Sequence, residues 1–150
     1  MVPARIREST SEDFKELWRI DQQCFAPGIA YSQRELAHYM ARRGAFTLVA
    51  QEDERMAGFV VAQRHGKGFG HIITLDVLPQ ARRSGVGSLL IEASEERLRR
   101  EGCDSVYLES AVDNSAALMF YKRHGYHVLK TLPRYYMNQI DALLMGKKLQ

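Results

Sequence analysis

The stretch Val77-Leu78-Pro79-Gln80-Ala81-Arg82-Arg83-Ser84-Gly85-Val86-Gly87-Ser88 decides how the chain is read. It leaves a β-run, crosses a basic turn and enters a helix. Ile72 to Leu78 is strongly β in composition, and Pro79 ends it. The glycines at 85 and 87 open a long amphipathic helix carrying Val86, Leu89, Leu90, Ala93 and Leu98, closed by Gly102. Glycine lets a backbone approach a ligand closely. The free N–H groups of a first helical turn point outward, and the helix dipole favours negative charge there by roughly 0.3 to 1 kcal/mol. With Arg82 and Arg83 beside those amides, a pyrophosphate is the natural guest. Two other nucleotide loops fail on spelling: no Lys follows either glycine, and Leu90 stands where a dinucleotide fingerprint needs a third glycine. Gly66-Lys67-Gly68-Phe69-Gly70 lies between β-runs, with no helix behind it, and reads as a hairpin turn.

Working outward from that stretch, Ala4 to Ser9 reads as a first strand. Thr10 with Asp13 begins a helix through about Phe25 whose stripe is Phe14, Leu17, Trp18, Cys24 and Phe25. Pro27-Gly28 breaks it, and Ser32 with Glu35 starts a second helix to Arg43-Gly44. Phe46 to Gln51 and Met56 to Gln63 form a hairpin across Asp53-Glu54. Downstream come a strand at Val106 to Glu109, a helix from Ser115 to His124 stopped by Gly125, and strands at Tyr126 to Leu132 and Ala142 to Leu149. Strands flanking separate helices indicate an α/β or α+β mixed sheet of about seven strands with four helices. With no linker and no internal repeat, residues 1–150 are expected to form one domain.

Composition narrows the function class. The chain has 150 residues, 45% hydrophobic and 26% charged, which is ordinary globular usage rather than a disordered or fibrous one. Lys plus Arg at 21 against Asp plus Glu at 18 leaves +3, so bulk charge argues for neither a nucleic-acid nor a membrane partner. Cys24 and Cys103 have no metal-ligand or disulfide spacing, and no metal is expected. His65, His71, His124 and His127 read as solvated or core residues. The longest apolar run, Met56 to Ala62, is too short to span a bilayer, and no signal-peptide core opens the chain, so a cytoplasmic location is the expectation.

The run from Val77 to Gly87 resembles the pyrophosphate motif of the GNAT superfamily of N-acetyltransferases, Arg/Gln-x-x-Gly-x-Gly/Ala, with Arg82, Gly85 and Gly87 in its fixed places. Leu108-Glu109, Asn114, Ala116-Ala117, Tyr121 and Gly125-Tyr126 resemble the strand and helix that follow in that family. Arg134-Tyr135-Tyr136, Asp141-Ala142 and Met145 are similar to the tail of enzymes acetylating protein N-termini, including those of ribosomal proteins. The resemblance covers nearly the whole chain. It implies the GNAT fold, with a central sheet splayed between its fourth and fifth strands.

It also implies acetyl-CoA as cofactor, with coenzyme A held by Arg82, Arg83, Ser84, Gly85, Val86, Gly87 and Ser88 on the pyrophosphate. Asp76 and Val77 would lie along the pantetheine arm, Asn114 would hydrogen-bond the cofactor, and Ala117 and Tyr121 would complete the site. Lys122 and Arg123 are plausible phosphate neighbours, although a basic pair at a helix end also suits its dipole. Tyr121 matches the family's acid for the departing sulfur, and Glu109 the general base. Tyr135 and Tyr136, on the loop before the last strand, match the tyrosines lining a peptide channel, with Phe25 and Tyr31 on the opposite wall. The loop Phe25 to Tyr31 departs from the ribosomal-type spelling, which leaves the acceptor's first residues open.

The implied acceptor is a protein or peptide α-amino group. At pH 7 such a group is roughly a tenth neutral, whereas only about one Lys in a few thousand is. The alternative is a small amine such as a polyamine, which the acids Glu12, Asp13, Glu16 and Asp21 would suit, although they also suit a helix start. A CoA-binding module without catalysis would show a broken glycine turn or a missing tyrosine, and a nucleic-acid binder would carry an RNP-like, zinc or helix-turn-helix signature. Relatives occur as monomers and homodimers, so either state is compatible with the resemblance.

Overall fold

The computed structural model describes residues 4–66 and 68–149, so Lys67 of the glycine-rich turn lies outside the described residues. The strands are β1 (Arg5–Glu8), β2 (Ala45–Glu52), β3 (Arg55–His65), β4 (Phe69–Val77), β5 (Ser105–Ala111), β6 (His127–Tyr136) and β7 (Ile140–Lys148). The helices are α1 (Phe14–Cys24), α2 (Gln33–Met40), α3 (Val86–Arg100) and α4 (Ser115–Arg123). One mixed sheet runs in the order β1-β2-β3-β4-β5-β7-β6. Each neighbouring pair is antiparallel except β4 and β5.

That exception shapes the molecule. β4 and β5 pair only at Phe69↔Ser105, Gly70↔Val106 and His71↔Tyr107, after which the strands part. A wedge opens between the rest of β4 and the rest of β5, as the family resemblance implies. A second irregularity bears on it: Val61 pairs with Thr74 but Ala62 with Ile72, so Ile73 is an extra residue in β4. Such a bulge reverses the alternation of side chains along the strand. His71, Thr74 and Asp76 therefore share one face with Gln63, Val61 and Phe59, whereas Gly70, Leu75 and Val77 take the other. A Cβ on Gly70 would collide with Leu98 of α3, which identifies the second face as the one α3 covers.

Local chemistry explains the boundaries. Ser32 accepts from the Glu35 N–H at 3.1 Å while the Glu35 carboxylate accepts from the Ser32 N–H at 2.9 Å, so the expected capping box starts α2. α2 ends at Met40, earlier than Arg43, because the chain turns through Ala41–Arg43 into β2 with Ala45 N–H bonded to the Arg42 carbonyl at 2.9 Å. Three 3-10 residues, Ser11–Asp13, precede α1. In α3 the buried stripe is Val86, Leu90, Ile91, Ser94, Glu95 and Leu98, while Leu89 faces outward at 39% exposure. The 3.6-residue period selects 86, 90, 94 and 98, and 89 falls off that line. Tyr135 and Tyr136 belong to β6 rather than to a loop. A tight turn after Tyr136, with Met137 and Asn138 at φ of 54° and 55° and Gln139 N–H bonded to the Tyr136 carbonyl at 2.9 Å, pairs Tyr136 with Ile140 at the hairpin tip, beyond an irregularity that follows Leu132.

α3 is tied to the far half of the sheet by a buried acid. Glu95 accepts from the Tyr126 hydroxyl and from Lys147 Nζ, each at 2.8 Å. The Glu95 side chain is 6% exposed and that of Lys147 24%, so the cation is what makes the buried charge tolerable. Lys147→Met is expected to lower stability by about 2 kcal/mol, discounted for the partial exposure of Lys147. Urea unfolding of the two proteins measures the difference, and equal midpoints would contradict it.

Candidate active site

At the apex of the wedge, where β4 and β5 last pair, His71 Nε2 lies 2.8 Å from Glu109 Oε1. The Glu109 side chain is 19% exposed, so this is a half-sheltered carboxylate facing a gap rather than a free charge at a sheet edge. Sequence reading placed Glu109 here but gave His71 a solvated or core role, and the structure corrects that. In an unbroken strand, His71 and Asp76 would point to opposite faces. The Ile73 bulge places His71 beside the wedge, and nothing in the spacing signals it.

Tyr121 comes from α4 and is buried against Phe120 and Tyr126, with ring centroids at 5.3 and 5.8 Å. Burial, then the fields of Asp76 and Tyr136, push its phenol well above the usual range, so it is a permanent O–H donor. Tyr135 and Tyr136 stack edge to face at 4.9 Å, and Glu109 lies near enough to help raise both phenols after burial itself. Opposite them, Tyr31 packs at 5.1 Å on Tyr39, a residue the sequence reading did not single out. Burial raises the Tyr31 phenol, with smaller contributions from Tyr39, Asp21, Tyr135 and Tyr136. The two walls touch. A Cβ on Gly28 would stand 3.0 Å from the Met137 sulfur, so the α1–α2 loop and the β6–β7 turn close over one end of the space. Phe25 is half-buried at the C-terminal end of α1.

The glycine turn has the geometry of an anion seat. Val86, Gly87 and Ser88 are the first three residues of α3, whose N–H groups lack intrahelical partners, and no side chain caps them from Gly85. Gly85 has φ 87° with open space where a Cβ would stand. Gly87 has a different reason to be glycine: a Cβ there would meet the Phe120 ring at 3.2 Å, so it admits α4 against α3. Arg82 and Arg83 are exposed beside these amides, as is Ser84, whose hydroxyl donates to the Ala81 carbonyl. Arg82 Nε donates to the Val77 carbonyl at 3.0 Å, and Cys24 Sγ contacts the same oxygen at 3.3 Å. Ser88 Oγ is 2.9 Å from His124 Nε2. Asn114 caps α4, its side chain accepting from Ala117 N–H at 3.2 Å, with its amide N–H groups unpaired among the described residues. Lys122 and Arg123 lie exposed in the last turn of α4, where they complement its dipole.

Of the acids near the first helices, Glu12 is exposed, and the other three are committed elsewhere. Asp13 pairs with Arg7 at 2.9 Å and Glu16 with Arg19 at 3.0 Å. Asp21, which sequence reading left among surface acids, is 0% exposed and faces Asp76, also 0% exposed. Its position is legible afterwards: four residues after Leu17 and three before Cys24, it falls inside the apolar stripe of α1.

A family model described as the acetyltransferase (GNAT) family matches residues 11–126. An N-alpha-acetyltransferase of Sulfurisphaera tokodaii is 30% identical over 158 aligned positions, covering 97% of this chain and 93% of that protein. The crystal structure of Ard1 from Thermoplasma volcanium superposes with a TM-score of 0.91 at 28% identity, covering 99% of both chains. A chain of the NatC complex, solved bound to Gag peptide and CoA, superposes with a TM-score of 0.84 at 26% identity, covering 99% of this chain and 100% of that one. No helix among the described residues is long and apolar enough to cross a membrane.

Burial, followed by the charge of Asp76, raises the Cys24 thiol to about 12, against the partial opposition of Arg82. Only a trace of thiolate exists at pH 8. Alkylation of Cys24 by iodoacetamide, followed by mass spectrometry, is therefore expected to run more than about a hundredfold slower than that of a free cysteine. A rate equal to the free thiol's would contradict the burial of this group against Val77.

Proposed function

We propose, from the premise that this chain belongs to the GNAT acetyltransferase family, that it acetylates the α-amino group of protein or peptide N-termini using acetyl-CoA. The observation that carries this reading is the placement of Glu109, held by His71 at the apex of a wedge whose walls are tyrosines. Relatives named for N-alpha acetylation, and a similar chain solved with peptide and CoA, support it.

When bound, acetyl-CoA supplies the acetyl group as a thioester. The chain's residues fit its pyrophosphate at the uncapped N–H groups of Val86, Gly87 and Ser88, flanked by Arg82, Arg83, Ser84 and Gly85. The Val77 carbonyl is already satisfied by Arg82 and Cys24, so its N–H, on the same strand edge, is the group left for the thioester end. There it can donate to the carbonyl oxygen as negative charge gathers on it. Asp76 lies on this strand with its side chain turned to Asp21 and its backbone groups turned to β3 opposite Phe59, so the contact with the pantetheine arm expected of Asp76 and Val77 falls to Val77. Asn114 and Ala117 border the site at the start of α4.

Glu109 takes the proton that the amine must lose, directly or through one water, and His71 Nε2 donates to Oε1 to fix the carboxylate's direction. Tyr121, kept protonated by burial, donates its O–H toward the departing sulfur. Tyr31, Tyr135 and Tyr136, phenols equally kept protonated, offer donors to the backbone carbonyls of an extended acceptor, and Phe25 lines the wall beside Tyr31. A polycation loses its main attraction, since Asp13 and Glu16 are paired with arginines and Asp21 is buried. An α-amine is roughly a tenth neutral at pH 7, so a single carboxylate is base enough.

Thiol release from acetyl-CoA, measured with unblocked peptides, the same peptides N-terminally blocked but bearing Lys, and free polyamines, tests the acceptor. Turnover confined to unblocked peptides is expected, and turnover confined to polyamines would overturn the reading. Glu109→Gln is expected to lower kcat about a hundredfold near pH 7, with a deficit that narrows as pH rises and the amine supplies its own neutral form. Tyr121→Phe is expected to lower kcat at least about tenfold while calorimetry finds acetyl-CoA binding retained. An unchanged rate in either variant removes the corresponding role.

A further inference from the structure

Two carboxyls beside the site have no part in the chemistry above, and both are wholly buried: Asp21 on α1 and Asp76 on β4. Each uses one oxygen outward. Asp21 Oδ2 accepts from the Tyr31 N–H at 2.8 Å, and Asp76 Oδ1 accepts from the Thr74 hydroxyl at 2.6 Å. The other two oxygens, Oδ1 of Asp21 and Oδ2 of Asp76, are buried with no hydrogen-bond partner, and Asp21 is the neighbour that acts on the Asp76 carboxyl. Two neighbouring carboxylates, both ionised and both out of water, are an arrangement that a protein interior does not sustain. A single proton between the inner oxygens satisfies both.

We propose that Asp21 and Asp76 share one proton, and that this bond makes them positioning residues that hold the Tyr31 segment at its working distance from β4. The proposal rests on the peptide-acceptor reading above for its effect on catalysis. The backbone of Tyr31 is gripped by α1: its carbonyl accepts from Trp18 Nε1 at 3.1 Å and from Gln22 Nε2 at 2.7 Å, and its N–H goes to Asp21. The acceptor wall thus moves with α1. α1 is fastened to β4 through the Asp21–Asp76 bond, and β4 carries His71 on the same face as Asp76. One O–H···O contact therefore links the wall that receives the acceptor to the strand that orients its base.

The groups around the pair supply one cation for two carboxyls. Thr74 faces it from β4, Cys24 from α1, Arg82 from the turn before α3, Tyr31 from the loop and Tyr121 from α4. Arg82 is the cation among them, and its Nε is spent on the Val77 carbonyl. Burial, then the bond and charge of Asp21, hold the Asp76 carboxyl well above the ordinary value of 3.8, with Thr74 and Arg82 opposing. The folded chain thus keeps a proton that the unfolded chain releases near 3.8, so stability from the pair is full below that pH and falls as pH climbs toward the raised value. Once the proton leaves, the carboxylates repel and the Tyr31 segment loosens.

Asparagine variants separate this arrangement from simple packing. Asp21→Asn and Asp76→Asn each put a permanent N–H where the shared proton lies, while the amide oxygen still accepts from Tyr31 or Thr74. The double variant sets two N–H donors against each other. Two quantities are read from pH 6 to 10: the peptide KM, as a ratio of variant to wild type so that titration of the acceptor amine cancels, and hydrogen-exchange protection of the Tyr31 amide. In wild type, protection is expected to fall and KM to rise about tenfold at the alkaline end. Each single variant is expected to hold both quantities level there, and the double variant to show about a tenfold loss at every pH. A double variant that matches the single ones, or wild-type curves parallel to theirs, overturns the proposal. If no peptide is acetylated, the acceptor reading fails while Tyr31 protection still decides the shared proton. Should the double variant fail to fold, the single variants against wild type decide it.

Discussion

The parting of β4 from β5 after His71 and Tyr107 is the constraint on which the rest depends. Backbone N–H and C=O groups that leave a ladder must be satisfied elsewhere, and the protein meets that requirement unevenly. At the end of β4, the Val77 carbonyl is taken by Arg82 and Cys24. The neighbouring strand edge stays open to a ligand. An extended substrate arm can complete such an edge as an added strand would, which is how a splayed sheet becomes a binding site without any surface cavity being carved for it. The cost of three paired positions instead of a full ladder is offset by β5's unbroken pairing with β7, from Ser105 to Ala111.

Three sheltered acids show three ways of making a carboxyl tolerable, and each way suits its place. Glu95 has a cation, Lys147, and a phenol, Tyr126, and serves to fasten α3 across the sheet. Glu109 has the His71 ring nitrogen at 2.8 Å and partial access to the wedge. Asp76 is out of solvent, with Thr74 and Asp21 beside it and only the field of Arg82 to favour its charge, and its burial favours the protonated state. Burial and partners, not residue type, set these three carboxyl environments apart.

The glycine turn joins these parts. Gly85 takes a left-handed conformation that starts α3 with its amides bare, and Gly87 lets α4 approach through Phe120. The two helices that flank the turn are therefore in contact at the same place where an anion would be held. Tyr121, carried by α4, comes into range of Asp76 and Tyr136 by the same approach. Membership in the GNAT acetyltransferase family gives this arrangement its chemical meaning.

By itself, the sequence determined the seven strands and four helices, the turn into α3, and the identity of Glu109 and Tyr121 as residues of interest. Local period, capping and turn chemistry write such features into neighbouring residues, and Ser32 with Glu35 is one example. What only the tertiary structure decided is which side chains meet. The Ile73 bulge shifts His71 to the face of Asp76, against the alternation that a strand reading assumes. Asp21 looked like one more acid of a helix start until α1 was laid against β4, and Tyr135 and Tyr136 looked like loop residues until the turn at Met137 and Asn138 paired Tyr136 with Ile140 at the hairpin tip. These partners lie 38 residues apart for His71 and Glu109, and the Asp21–Asp76 pair is likewise long-range. A contact across such distances depends on the fold's register and layer packing, and no local pattern encodes it.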